Sequence, residues 1–132
     1  MTSARLTRCQ VRNRTTLVAA LRSGRYRKGR DALYAKGSYC CLGVAEAEGL
    51  AVHSTLGSET LDPASASIHL GLFNGTSLAV DGGSLVTLND DGATPWMLDA
   101  EVTPTRPWVR LTFTDIAFGI ELDTLMRQDG AL

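Results

Sequence analysis

Apolar residues recur at helical spacing near the start of the chain. The apolar positions of residues 15–23 fall on one face of a helix, and they are Leu17, Val18 and Leu21. Asn13 or Thr15 can cap the start of this helix, and Gly24 can terminate it. We therefore expect a short first helix that ends at Ser23.

The C-terminal segment carries the clearest helical pattern. Thr112 stands three residues before Asp115, which is the spacing of a capping box. The apolar residues that follow share one face, and they are Phe113, Ile116, Ala117, Ile120 and Met126. This helix is predicted to end before Gly130.

Two shorter helices are predicted between these two. Residues 40–49 fit either an extended buried run followed by a turn or a helix, and their alanines and glutamates favour the helix. Gly49 suits the position just after its end. Asp62 as N-cap, followed by Pro63, predicts another helix that ends at Gly71.

These patterns predict a single α+β domain over residues 1–132, in which three to four short helices pack with a few short strands. The segment Ala32–Lys36 can form a short strand or a turn between glycines. Residues 93–110 contain three of the four prolines and both tryptophans. We expect them to form an insertion loop or hairpin.

The composition is that of a soluble globular protein, with 44% hydrophobic and 20% charged residues. The longest apolar runs are too short to span a membrane, and no signal-peptide pattern follows the basic N-terminus. We therefore expect a cytoplasmic protein with reduced thiols.

Charge is divided unevenly along the chain. Residues 1–37 carry ten Lys or Arg and one acid, and the remainder carries three Arg and thirteen acids. Net charges of +9 and −10 indicate either a basic surface for phosphate-bearing partners or basic and acidic faces that pair. Such pairing can occur within the fold or between subunits, so a homo-oligomer is a further expectation.

The densest basic segment is the basic loop, residues 23–30, with sequence SGRYRKGR. Its candidate binding residues are Arg25, Tyr26, Arg27, Lys28 and Arg30. Cations and glycines in one loop suit a phosphate group, a nucleotide or a nucleic-acid backbone, although no Walker or dinucleotide-binding motif is present. The alternative is a solvated loop that balances the acidic remainder.

The adjacent Cys40 and Cys41 are the candidate reactive groups. Their spacing is unsuited to zinc, and a reducing cytosol opposes a disulfide between them. A thiolate at the start of a helix is a possible nucleophile, and His53 or His69 could act as its base. The alternative is burial as small core residues, because free cysteine is among the most buried residue types. We expect no metal site and no cofactor.

Two further features concern a turn and the insertion. The segment Asn89–Gly92 lacks the spacing of a calcium loop and predicts a turn, in which Asn89 or Asp90 pins a neighbouring element, for instance by accepting from Arg22. Trp96 and Trp108 form either a small core within the insertion or an exposed anchor for a partner.

Four segments carry a resemblance. ALRSGRY (residues 20–26), YCCLGV (39–44), LND (88–90) and FTDIAFGI (113–120) together resemble small uncharacterised proteins of tailed phages and their bacterial hosts. In those proteins the last helix follows the LND turn almost directly, whereas here residues 91–111 intervene. The resemblance implies a phage or prophage origin.

We therefore expect a small phage-type accessory protein that binds a host or anti-phage-defence component. That component is a protein or a phosphorylated nucleotide signal, held by the basic loop and the aromatic insertion, and nucleic acid is a less favoured partner. The alternative is a cysteine-dependent hydrolase or transferase that uses Cys40 or Cys41 with a histidine.

Overall fold

The computed structural model of the protein describes residues 5–29, 33–54, 61–74, 76–79, 85, 89 and 112–128. This part contains the helices α1 (Arg8–Arg22), α2 (Cys41–Ala47), α3 (Pro63–Leu70) and α4 (Phe113–Gln128), and the strands β1 (Tyr34–Ala35) and β2 (Ser38–Tyr39). The prediction of a small α+β fold is confirmed. The predicted insertion, residues 93–110, lies outside the described residues.

Helix α1 begins earlier than the sequence pattern predicts. Thr7 caps it by accepting the Gln10 amide, and the Gln10 side chain returns a hydrogen bond to the Thr7 amide, so the two form a capping box. The predicted start at Asn13 or Thr15 is therefore wrong. The reason is that the first turns of α1 are mostly polar, so the pattern of apolar residues does not indicate a helix there.

The ends of α3 and α4 follow their predicted caps. Asp62 accepts the Ser65 amide at the start of α3, and Gly71 ends that helix in the left-handed conformation. Thr112 and Asp115 exchange hydrogen bonds between side chain and backbone at the start of α4. Hydrogen bonds between residues a few positions apart thus set the start of α3 and the start of α4.

Helices α1 and α4 pack side by side and run antiparallel. The Leu6 amide, just before α1, donates to the Gln128 side chain at the end of α4. Near the end of α1, Arg22 forms an ion pair with Glu121. Residue numbers therefore rise along one helix as they fall along the other.

Charged residues continue the buried faces of both helices. The buried face of α1 consists of Arg14, Leu17, Val18, Ala20 and Leu21. The buried face of α4 consists of Phe113, Ile116, Ala117, Gly119, Ile120, Asp123 and Arg127. Met126, which the sequence pattern places on the buried face, is only half-buried. The charged residues Asp123 and Arg127 occupy buried positions of this face instead.

These charged residues form a buried cluster that joins three elements. Arg14 contacts Asp123 at 2.7 Å, and its Nε donates to the Leu70 carbonyl at 2.6 Å. Arg14 and Arg127 both donate to the Gly71 carbonyl, just after α3. Desolvation lowers the pKa of Arg14 and of Arg127, and Asp123 opposes this by favouring their charged forms. Each charge is therefore paired, which is the condition for tolerating burial.

A hairpin lies between α1 and α2. Tyr34 pairs with Tyr39 across β1 and β2, and the turn residues Lys36 and Gly37 both have positive φ, as a type I′ turn requires. For residues 32–36 the sequence allows a short strand or a turn, and the structure has the strand at Tyr34 and Ala35 and the turn at Lys36.

The basic loop adds a third segment to this hairpin. The Arg27 carbonyl accepts the Tyr39 amide at 2.7 Å, and the Gly29 amide donates to the Tyr39 carbonyl at 2.7 Å. Both bonds of Tyr39 are directed away from β1, so residues 27–29 run beside β2 on its other edge. The loop is thereby fixed to the sheet.

The core lies where the helices meet. Its fully buried side chains include Leu17, Leu33, Leu42, Leu61, Leu70, Leu78, Leu85, Ile116 and Ile120. Within the described ranges, none of the helices combines the length and the apolar character that a membrane span requires.

Candidate functional site

The two adjacent cysteines lie at the start of α2 and are both buried. Cys40 is the N-cap, and its sulfur accepts the Gly43 amide at 3.3 Å. A thiol here does the work of the usual hydroxyl or carboxylate cap while burying less polarity. Cys41 is 0% exposed, and its sulfur lies 3.6 Å from the Leu85 carbonyl. Burial as small core residues is what the structure shows for both.

Gly43 explains the glycine of the Cys-Cys-Leu-Gly-Val motif. A Cβ at this position would lie 1.7 Å from the Leu33 carbonyl oxygen, so no other residue fits without moving the backbone. The same Leu33 carbonyl accepts the Cys40 amide at 3.1 Å. Helix α2 therefore packs directly onto the base of the hairpin.

Asn89 connects α2 to the basic loop. Its Oδ1 accepts the Cys41 amide at 3.1 Å, and its Nδ2 donates to the Gly29 carbonyl at 2.8 Å. Its own carbonyl accepts Lys28 Nζ at 2.6 Å. The prediction that Asn89 pins a neighbouring element is confirmed, although Arg22 is not among these partners. The predicted turn is wrong at Asn89 itself, because this residue is helical. Asp90 lies outside the described residues.

The cations of the basic loop are used in different ways. Lys28 is half-buried and anchored to Asn89, as described above. Arg25 is exposed and lies 3.4 Å from Glu48 in a surface ion pair. Arg27 is exposed, and its guanidinium makes no hydrogen bond or ion pair with the described part of the chain. Arg30 lies outside the described residues.

All three tyrosines of the chain form one cluster beside this loop. The rings of Tyr34 and Tyr39 have centroids 4.7 Å apart with planes tilted by 39°. Tyr26 meets Tyr39 edge-on at 5.0 Å. The outermost ring, Tyr34, is 57% exposed. The cluster therefore exposes the ring of Tyr34, which packs against Tyr39, and Tyr39 in turn packs against Tyr26.

Tyr26 is held by a carboxylate. Its hydroxyl donates to Glu48, and this hydrogen bond, with desolvation, raises the pKa of Tyr26 above its ordinary value. The Arg25 guanidinium lies 5.4 Å from the centroid of the same ring, within cation–π range. The tyrosine cluster is thus fixed at its inner end.

We call the resulting region the loop–hairpin surface, and it consists of Arg25, Tyr26, Arg27, Tyr34, Lys36 and Tyr39. Lys36 is exposed in the hairpin turn, and its ammonium group, like the Arg27 guanidinium, makes no hydrogen bond or ion pair with the described residues. Exposed cations beside aromatic rings suit a ligand with negative charge and planar groups.

The histidines take other places. His53 Nδ1 lies 2.6 Å from Glu46 Oε2 at the surface. His69 is exposed near the end of α3, and its carbonyl accepts from Asn13. The Cys40 sulfur accepts from the Gly43 amide, and the Cys41 sulfur contacts the Leu85 carbonyl, so neither of these contacts is with a histidine. No cluster of three or more metal-ligating side chains occurs among the residues that the structure describes.

The sequence pattern indicates the basic loop but not Tyr34, Lys36, Tyr39 and Glu48, which the structure places in the hairpin and at the end of α2. A signal was present, because all three tyrosines fall within residues 26–39 and a Lys-Gly pair follows a short apolar segment. Trp96 and Trp108 lie outside the described residues.

Comparison of the chain with protein-family models, with curated proteins and with solved structures found no match.

Proposed function

We propose that the protein is a small binding protein that recognises a phosphorylated ligand through the loop–hairpin surface. Its role is that of a phage-type accessory protein, and the ligand is a phosphorylated component of the host or of its defence. The motif resemblance supports the phage context, and the chemistry of the surface supports the ligand class.

One observation carries this proposal. Arg14, Arg22 and Arg25 pair with acids of the acidic remainder of the chain. Arg27 and Lys36 are exposed, and their side chains pair with none of the acids that the structure describes. Exposed cations of this kind are available to a phosphate group, and pairing with phosphate oxygens is a strong charge-assisted interaction.

The surface is also preorganised. The loop is hydrogen-bonded to β2 on one side and to Asn89 on the other. A ligand therefore binds without first ordering this backbone, which removes part of the entropic cost of binding.

The geometry does not favour the cysteine-dependent enzyme. Catalysis needs a thiolate that a substrate can reach, and Cys40 and Cys41 are 5% and 0% exposed. The histidine nearest in sequence, His53, faces Glu46 instead.

The proposal is tested by titrating tripolyphosphate into the protein in a calorimeter at low ionic strength. The test variant is Arg27→Glu with Lys36→Glu. The control variant is Arg8→Glu with Arg12→Glu, which makes the same change in net charge at exposed positions of α1. Circular dichroism checks that both variants are folded.

We expect the wild-type protein and the control to bind tripolyphosphate with an affinity that falls as salt is added, because screening weakens exposed charges. We expect the test variant to lose at least about tenfold in affinity. Equal losses in both variants, or no binding by the wild-type protein, would contradict the proposal.

A further inference from the structure

We infer that the phosphorylated ligand is a nucleotide whose base stacks on the exposed ring of Tyr34. This inference rests on the proposed function and names its ligand class. A nucleotide unit can be free or can belong to a single-stranded nucleic acid, and the shared chemistry is a planar base with a phosphate close by.

Two further aromatic rings support Tyr34. Tyr39 packs against Tyr34 at 4.7 Å, and Tyr26 in turn meets Tyr39 edge-on. Tyr26 is itself tied to Glu48 through its hydroxyl. The row of rings fixes the position of Tyr34, so a base that stacks there does not have to order a mobile side chain.

Tyr34 faces solvent. Its side chain is 57% exposed, although it belongs to a row of aromatic rings whose other members are half-buried. Aromatic side chains that border cations and face solvent are the platforms on which unpaired bases stack, because every base has a π-face.

Cations lie at both ends of the row of tyrosine rings. Arg25 lies over Tyr26 at the inner end. At the outer end of the row, Lys36 follows Tyr34 by two residues. The α-carbons of two such residues lie about 7 Å apart in an extended strand. Its left-handed backbone, with φ of 51°, places it in the turn itself. A base on Tyr34 would therefore have its phosphate within reach of the Lys36 ammonium group.

The experiment compares two probes that differ only in the nucleoside. ATP and tripolyphosphate are each titrated into the wild-type protein and into Tyr34→Ala. Phe118→Ala is the matched control, since Phe118 is an exposed aromatic residue of α4, distant in sequence. Tyr34→Phe tests rescue, because it keeps the ring and removes only the hydroxyl.

We expect Tyr34→Ala to weaken ATP binding by about 5- to 150-fold, the range found when stacking side chains are replaced by alanine. Tripolyphosphate binding should stay unchanged, and Tyr34→Phe and Phe118→Ala should bind ATP as the wild-type protein does. An equal effect of Tyr34→Ala on both probes, or no effect on ATP, would overturn the inference. Neither result would contradict the proposed function, because the wild-type protein would still bind both probes.

The failure of the proposed function has a different signature, since neither probe would then bind the wild-type protein, and the inference would fall with it. A ten-residue oligothymidylate identifies the source of the nucleotide. Tighter binding of this strand than of ATP, lost in Tyr34→Ala, assigns the surface to single-stranded nucleic acid. Weaker binding of the strand assigns it to a free nucleotide.

Discussion

Replacing Asn89 with alanine should destabilise the protein by about 1.5–4.5 kcal/mol. The side chain of Asn89 is 3% exposed and bonds both the Cys41 amide and the Gly29 carbonyl. An unsatisfied buried amide costs about 1–3 kcal/mol, and the lost bond to Gly29 adds about 0.5–1.5 kcal/mol. The change removes one cap of α2 and one anchor of the basic loop at the same time.

Urea denaturation followed by circular dichroism measures this loss, with one unfolding transition analysed as two-state. The matched control is Asn13→Ala, in which the amide that donates to the His69 carbonyl lies at the surface. We expect the control to change the free energy of unfolding by no more than about 0.5 kcal/mol. The reasoning is refuted if Asn89→Ala is as stable as this control.

Three further predictions concern other parts of the molecule. Asp123→Ala should cost about 3–5 kcal/mol in urea denaturation, because it leaves two buried arginines without their carboxylate; a loss below 1 kcal/mol would contradict the cluster's role. Native labelling with iodoacetamide should modify exposed Cys9 first and leave Cys40 and Cys41 slow until unfolding; rapid labelling of either buried thiol would revive the enzyme hypothesis. An ultraviolet absorbance titration should show a tyrosine that ionises above the ordinary pKa of tyrosine and that is absent in Tyr26→Phe, because the hydrogen bond to Glu48 raises the pKa of Tyr26. Because the pKa of Tyr26 is raised in the folded state, its contribution to stability is present at neutral pH and is lost as the pH rises through that raised value.

Helix boundaries that depend on local chemistry could be predicted from the sequence. Asp62 with Gly71, and Thr112 with Asp115, cap their helices through contacts a few residues apart. The start of α1 could not be predicted from hydrophobicity, because its first turns are polar, and only the spacing of the Thr7–Gln10 capping box marks it. The inward position of Arg14 in that helix is also hidden from the apolar pattern. Its partner Asp123 is 109 residues away, so the pattern of a single helix does not reveal the pair.

The candidate site was predictable only in part, for a similar reason. The sequence shows the basic loop as a run of cations. Which of these cations are held in place depends on two distant residues, since Glu48 pairs with Arg25 and the Asn89 carbonyl accepts from Lys28. Asn89 contacts Cys41 across 48 positions of the sequence, so neither the cysteine pair nor the Leu-Asn-Asp motif can be interpreted from its own segment alone. The tyrosine cluster depends on the hairpin register, which places Tyr34 opposite Tyr39.

The most direct test of the account is a map of ligand contacts by nuclear magnetic resonance. ATP is titrated into the isotope-labelled protein at low ionic strength, and the backbone amide shifts are followed residue by residue. The account predicts that the largest changes fall on the loop and hairpin, residues 25–29 and 34–39, and that the amides of α1 and α4 change little. Largest changes on α1 and α4, or no changes at saturating ATP, would contradict it.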